Sequence, residues 1–304
     1  MRLKKNKVNF TNWLFASFLI FLFSFFIPGC SSAPPRTGEV FSDRNTALNQ
    51  LNLANQLANR GRFEDALLLL MEARRLAVST DDPSLRVRTA ISRGNFLFYL
   101  GSYEEAFSEW DTASAEGDSS GEPALAALAR IYLIRARIMM LANEDGGASA
   151  ASVTGAEELK TKLEREMILV RNDEASTAAG QITLGFAERQ LGRWAEAERE
   201  VRRALDFHQR NNNLEDAAYC WFIIGSIRSF AGNYDSSLEA LRTAISLDRR
   251  AENGFGLASS WRAMGDVYQK AGRAQESREA LQRAAEIYRA INLDEHAEAL
   301  ESEL

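Results

Sequence analysis

From residue 45 to about 292, small and apolar side chains recur in steps of three, four and seven. Ala66, Leu70 and Ala73 form one such set, and Ala106, Trp110 and Ala113 another. Ala197, Val201 and Ala204 form a third, followed by Leu241 with Ala244 and Leu281 with Ala284. That spacing lays one apolar stripe along a helix. Alternating runs of the kind that predict strands are missing, and only 5 prolines interrupt the 304 residues. The pattern predicts an all-helical chain broken at glycines.

The breaks repeat. A glycine, a ring two places on and a small residue five places on occur at Gly61, Phe63 and Ala66; at Gly101, Tyr103 and Ala106; at Gly192, Trp194 and Ala197; and at Gly232, Tyr234 and Ser237. Gly272 and Ser277 fit without the ring. Successive glycines lie 40, 91, 40 and 40 residues apart, and 91 is two periods plus 11. A sixth, irregular unit therefore lies over 121–171. Seven places before each glycine stands another small residue (Ala54, Gly94, Gly185, Gly225 and Gly265). Two antiparallel helices joined by a short turn must cross closely, and a small side chain lets their backbones approach. Each unit reads as helix, glycine turn, helix. The boundaries fall near 45–82, 83–120, 121–171, 174–213, 214–253 and 254–293, with a capping helix over 294–304. Pro83 and Pro123 start first helices, where a missing N–H costs nothing. The 11 extra residues of the third unit are expected in a Gly/Ser/Ala-rich loop near 143–155. That loop is either a tolerated insertion or a partner-contacting hinge.

At these residues the chain resembles the tetratricopeptide repeat family. The family's W-x-x-L-G pattern stands here as Trp221, Ile224 and Gly225, and again as Trp261, Met264 and Gly265, with Tyr268 at the next aromatic position. The units run six residues longer than the family's 34. The resemblance implies a right-handed α-α superhelix of about six helical hairpins, with first helices lining a concave face that grips a protein or peptide. Carried over position by position, the groove residues are Asn55; Arg88, Ile91, Asn95, Phe98 and Tyr99; Phe186 and Arg189; Tyr219, Phe222, Ser226 and Phe230; and Arg262 and Lys270. Packing between repeats competes for the phenylalanines. Asn55 and Asn95 hold the position where clamp-type members grip a peptide carboxylate, but the accompanying lysines are absent.

Composition and charge place the chain in the cell. Residues 1–12 carry Arg2, Lys4, Lys5 and Lys7 and no acid, and residues 13–27 are apolar or small. A basic segment before a 15-residue apolar run is a secretory signal, short for a span needing about 20 residues. The run ends at Ile27, Pro28, Gly29 and Cys30, which resembles the lipobox of bacterial lipoproteins. That resemblance implies removal of 1–29, a lipid on Cys30 and a tether over 30–44; a plain signal anchor is the alternative. Ser31 after Cys30 favours the outer membrane, facing the periplasm. Loss of 1–29 takes the bases from 36 to 32 against 42 acids, leaving −10. An acidic exported domain is a poor nucleic-acid binder.

Candidate chemistry is thin. Two histidines and two cysteines supply no H-E-x-x-H or C-x-x-C motif, and no phosphate-binding glycine loop or nucleophile elbow is present. His208 and His296 are expected to be solvated near helix ends, and Cys220 to be a small core residue. Gly254 to Gly256 reads as the linker between the last two units. No catalytic residue, metal or cofactor is expected, and the oligomeric state is open. The function expected is to bind and localise another envelope protein. The alternative is an accessory role in periplasmic solute uptake, with a ligand pocket or pore; an enzyme is the least favoured class.

Overall fold

The computed structural model describes residues 42–144 and 150–302. The expected signal segment, Cys30 and most of the tether lie outside the described residues. Thirteen helices are described: α1 Ser42–Asn59, α2 Phe63–Ser79, α3 Pro83–Tyr99, α4 Tyr103–Ser119, α5 Pro123–Glu144, α6 Ala150–Val170, α7 Glu174–Gln190, α8 Trp194–Arg210, α9 Leu214–Phe230, α10 Tyr234–Ala251, α11 Gly254–Lys270, α12 Ala274–Ala290 and α13 Asp294–Glu301. There is no strand among the described residues. The first twelve helices pair as six antiparallel hairpins that stack in an all-α superhelix.

Local chemistry fixes the breaks. The turn inside a hairpin is left-handed at Gly61, Gly101, Gly192, Gly232 and Gly272. The turn between hairpins is left-handed at Asp81, Gly121, Asn212, Glu252 and Asn292. In each case the N–H of the residue after the left-handed one reaches back to a carbonyl near the helix end, as from Arg273 to Tyr268 at 2.8 Å and from Leu293 to Tyr288 at 2.9 Å. This closes a Schellman-type cap every twenty residues. Asp82, Asp173, Asn213 and Asn253 accept from the backbone N–H three residues on, which starts α3, α7, α9 and α11. Pro83 occupies the first turn of α3 behind Asp82.

The hairpins cross where the small residues stand. A Cβ on Gly225 would lie 2.8 Å from Cγ of Leu241, and one on Gly265 would lie 2.6 Å from Leu281. Ser237 donates to the Gly225 carbonyl at 2.6 Å, and Ser277 to that of Gly265 at 2.9 Å. The same crossing at Gly94 is filled by the Trp110 ring, which donates to the Ile91 carbonyl. One core runs through α5 to α9 around Ile131, Leu163, Ile182, Val201 and Ile223. α13 buries Ala297 and Leu300 against α12.

The stack also meets itself. Phe255 of α11 and Leu293 pack into the core of the first hairpin, beside Leu51, Phe63, Leu70 and Phe96. The Phe63 and Phe255 rings meet edge to face at 5.4 Å, and Tyr99 meets Phe255 at 5.6 Å. A Cβ on Gly61 would stand 2.7 Å from Ile291, so the first turn glycine seats the last hairpin's end. Arg60 pairs with Glu252 at 3.1 Å. The first hairpin is thus joined to the last two.

Three expectations are corrected. The third unit's extra residues lengthen its helices: α5 has 22 residues and α6 has 21, where neighbours have 17 or 18. α6 begins at Ala150, inside the expected loop, and a Cβ on Gly155 would stand 3.2 Å from Leu141 of α5, a close helix approach. Gly254 to Gly256 is the first turn of α11 rather than a linker, because Asn253 caps the N–H of Gly256 at 3.0 Å. His208 is 7% exposed, with Nδ1 3.5 Å from Asp216, and burial lowers its pKa. His296 is half-buried against Tyr288 and Phe255, with its pKa also lowered by burial.

Candidate functional site on the inner face

The last turns of the first helices carry the exposed rings and cations. Tyr99 ends α3, Phe230 ends α9 and Lys270 ends α11, each two residues before a turn glycine. Among the described residues three aromatic rings are exposed, Tyr99, Tyr103 and Phe230, and two of them stand at these helix ends. Phe230 is 52% exposed. It stacks on Trp194 at 6.3 Å and lies under two cations, Arg189 at 5.0 Å and Lys270 at 4.7 Å from its centroid. Tyr99 is 43% exposed by area. That open surface nevertheless faces protein on many sides, and desolvation pushes its phenol well above the usual range.

Arg135 and Tyr132 lie close enough to act on the phenols of both Tyr99 and Tyr219, so side chains from α3, α5 and α9 converge on one space. Arg135 lies 4.8 Å over the Tyr132 ring, with Nε donating to Thr183 at 3.0 Å and Nη2 to the Ala179 carbonyl at 2.7 Å. Arg189 lies 5.1 Å over the Phe186 ring and donates to Ser226 at 2.9 Å. Burial draws its pKa down to about 10. Tyr219 and Phe222 stack at 6.3 Å with an interplanar angle of 12°. This face can hold an apolar body against rings and a negative group against guanidinium donors.

The expected groove residues divide. Tyr99, Arg189, Tyr219 and Phe230 gather here, with Phe222 half-buried behind Tyr219. Ile91 is 5% exposed and packs with Val87, Ala113 and Leu125. Phe186 is 4% exposed, a floor beneath Arg189. Phe98 packs on Trp110 and Tyr103, inside the second hairpin. Ile91, Phe98 and Phe186 are therefore corrected from groove to packing, because the crossing with the second helix draws them in. Asn55, Arg88 and Arg262 are exposed and Asn95 is half-buried; no contact joins them to the ring cluster. Sequence reasoning missed Tyr132 and Arg135, since their unit has no aligned turn glycine. A ring followed three residues later by arginine, shared with Phe186 and Arg189, marks both pairs.

Among the described residues no group of three or more potential ligands could hold a metal ion. No described helix is long and apolar enough to cross a membrane. Cys220 is buried, and desolvation raises its thiol well above the usual range.

Paired helices repeating every forty residues around a lined inner face define a helical-repeat binding protein. Two models of the tetratricopeptide repeat match the chain, over residues 176–250 and 257–298, so the C-terminal part of the chain carries tetratricopeptide repeats. Two solved structures share the fold. One is a signal transduction ATPase with numerous domains and a tetratricopeptide repeat sensor, PH0952 from Pyrococcus horikoshii: 16% identity, 83% of this chain against 35% of that one, TM-score 0.55. The other is a Rap protein complexed with competence and sporulation factor: 14% identity, 85% of this chain against 74% of that one, TM-score 0.54. No curated protein matches the sequence. Repeats of this family support a protein-interaction scaffold.

Proposed function

We propose that the protein is a lipid-anchored scaffold of the bacterial cell envelope, facing the periplasm from the outer membrane, that holds and localises another envelope protein and carries out no reaction itself. The observation that carries the reading is the inner face, where exposed rings and cations stand together on a repeat fold built for contact. Tyr99, Tyr219, Phe230 and Arg189 are its gripping side chains. The apolar run 13–27 ending at Cys30 supports the anchor; each buried acyl carbon contributes about 0.8 kcal/mol, so two or three chains hold without a transmembrane helix.

Two experiments test this reading. Cys30→Ser is expected to move the protein from membranes to the soluble periplasmic fraction, and undiminished membrane pelleting contradicts acylation. Crosslinking in intact cells followed by purification and mass spectrometry is expected to recover one dominant envelope protein, with recovery falling in a Tyr219→Ala, Phe230→Ala double variant. Equal recovery with the variant removes the inner face as the gripping site.

A second reading, an accessory to periplasmic solute uptake, is favoured by the contact between the first and last hairpins. That contact sets the first hairpin against the last two, as an enclosed small-molecule chamber would require. The solved Rap protein, complexed with competence and sporulation factor, is a precedent for a bound factor on this fold.

A further inference from the structure

Half-buried arginines elsewhere in this chain carry a carboxylate. Arg86 pairs with Glu116, Arg130 with Glu166 at 2.8 Å, and Arg228 with Glu198 at 2.8 Å. On the inner face the pattern stops. Arg135 and Arg189, and Lys270 beside them, have no carboxylate in ion-pair range among the described residues; their partners are hydroxyls, a carbonyl and aromatic rings. Asp216, an acid close enough to act on Tyr99, is taken by Asn213 at 2.5 Å and faces His208 at 3.5 Å. A cation drawn out of water without an anion is costly, and proteins ordinarily neutralise it. Burial has already moved Arg189 away from its normal pKa, so the cost is real at this position.

The two guanidinium groups are also prepared for a ligand. Each lies over a ring that fixes its plane, and each is tied by neutral acceptors on the next first helix. A guanidinium has five N–H donors. Arg189 spends one on Ser226, and Arg135 spends its donors on Thr183 and Ala179, leaving donors free at both. Around them stand Tyr132, Tyr219 and Phe230. Arg189 and Lys270 lie near the C-terminal ends of α7 and α11, where the helix dipole is negative, while Arg135 lies within α5. That field disfavours a multiply charged phosphate and tolerates a single negative charge.

We propose that the inner face binds a small organic acid, its carboxylate held by Arg189 and Arg135 and its apolar body laid against Tyr132, Tyr219 and Phe230. A free small molecule fits better than a threaded chain because Phe255 joins the last hairpins to Phe63 and Tyr99. The inference rests on the second functional reading, and the capture of an envelope protein does not depend on it.

Calorimetric titration of the full-length processed protein with 4-phenylbutyrate, its amide and inorganic phosphate tests it. The acid is expected to bind, and the amide and phosphate to bind at least ten-fold more weakly. Arg189→Gln is expected to weaken the acid at least ten-fold, Arg189→Lys to restore part of the loss, and Arg135→Gln to weaken it less. Without ligand, Arg189→Gln is expected to melt no lower than wild type, since it removes an unpaired cation; a side chain kept only for structure gives the opposite. Equal binding of acid and amide, equal binding to Arg189→Gln, or no acid binding overturns the proposal. A peptide that binds through its free C-terminus while the small acid does not also overturns it, in favour of a protein terminus. Envelope-protein capture by the wild-type protein and by Arg135→Gln, a residue outside the gripping set, is read in parallel, so failure of the acid site and failure of the scaffold reading remain distinct.

Discussion

The crossing inside each hairpin and the seam between the first and last hairpins bury their contacts in different ways. At a crossing, glycine on the first helix meets a large residue on the second: Gly225 against Leu241, Gly265 against Leu281, and Gly185 against Val201. The backbones touch, and serine hydroxyls tie two of the joints. At the seam, side chains touch side chains. Phe255 fits between Phe63, Tyr99 and Tyr288, Ile291 caps Gly61, and Arg60 reaches Glu252 in full exposure to water. A crossing is therefore intolerant of added volume. The seam is as tight at Gly61, where a Cβ would stand 2.7 Å from Ile291, but elsewhere it is held by side chains gathered around the Phe255 ring.

That difference orders the expected effects of substitution. Gly225→Leu has the largest, because even a Cβ there stands 2.8 Å from Leu241 and 3.3 Å from the Ser237 carbonyl. Overpacking of this kind costs about 1–3 kcal/mol and occasionally more. Thermal unfolding followed by circular dichroism is expected to show a clear fall in melting temperature. An unchanged value would mean that the backbones do not cross there.

Phe255→Ala comes next, at roughly 2 kcal/mol for a half-buried ring. The loss is expected at the seam alone. Small-angle scattering should report a larger radius of gyration while helical content is kept. Loss of helicity in step with expansion would make the seam part of the core, and the contrast with the crossings would fail.

The smallest effect is a gain. Asp248 is buried near the seam, facing Asn253, Ser260 and Glu215, and burial pushes its carboxyl up to about 7. In the unfolded chain the same group ionises near pH 4. The folded chain therefore holds the extra proton between those values, and stability falls as pH rises through that window. Asp248→Asn keeps an acceptor for Asn253 and removes the buried charge. It is expected to melt a few degrees above wild type at pH 8 and level with it at pH 4. A difference of the same size at both pH values would assign the effect to packing instead.

The two joints also differ in how far they could be read in advance. The crossings follow a period of forty, so Gly94, Gly185, Gly225 and Gly265 declare themselves as small residues seven places before a turn. The seam has no period. Phe255 lies between two glycines that look like a loop, and only the stacked fold brings it to Phe63, 192 positions earlier. Of the inner face, Tyr99, Arg189, Tyr219 and Phe230 could be carried over from repeat positions. Tyr132 and Arg135 lie in register, Arg135 forty residues after Asn95 on a helix that starts forty after Pro83, but their unit lacks the turn glycine that marks the others, so no groove residue was carried over to it. Ile91, Phe98 and Phe186 shared the groove's spacing but were drawn inward, since repeat position alone does not tell packing from exposure.

The contact between first and last hairpins can be measured directly with spin labels at Arg60→Cys and Glu252→Cys. The side chains of these two residues pair at 3.1 Å, and Cys220 is too buried to label. Double electron–electron resonance is expected to give a single short, narrow distance distribution that broadens and lengthens when Phe255→Ala is added. A long, broad distribution that ignores Phe255→Ala would mean that the stack is open and its inner face unenclosed.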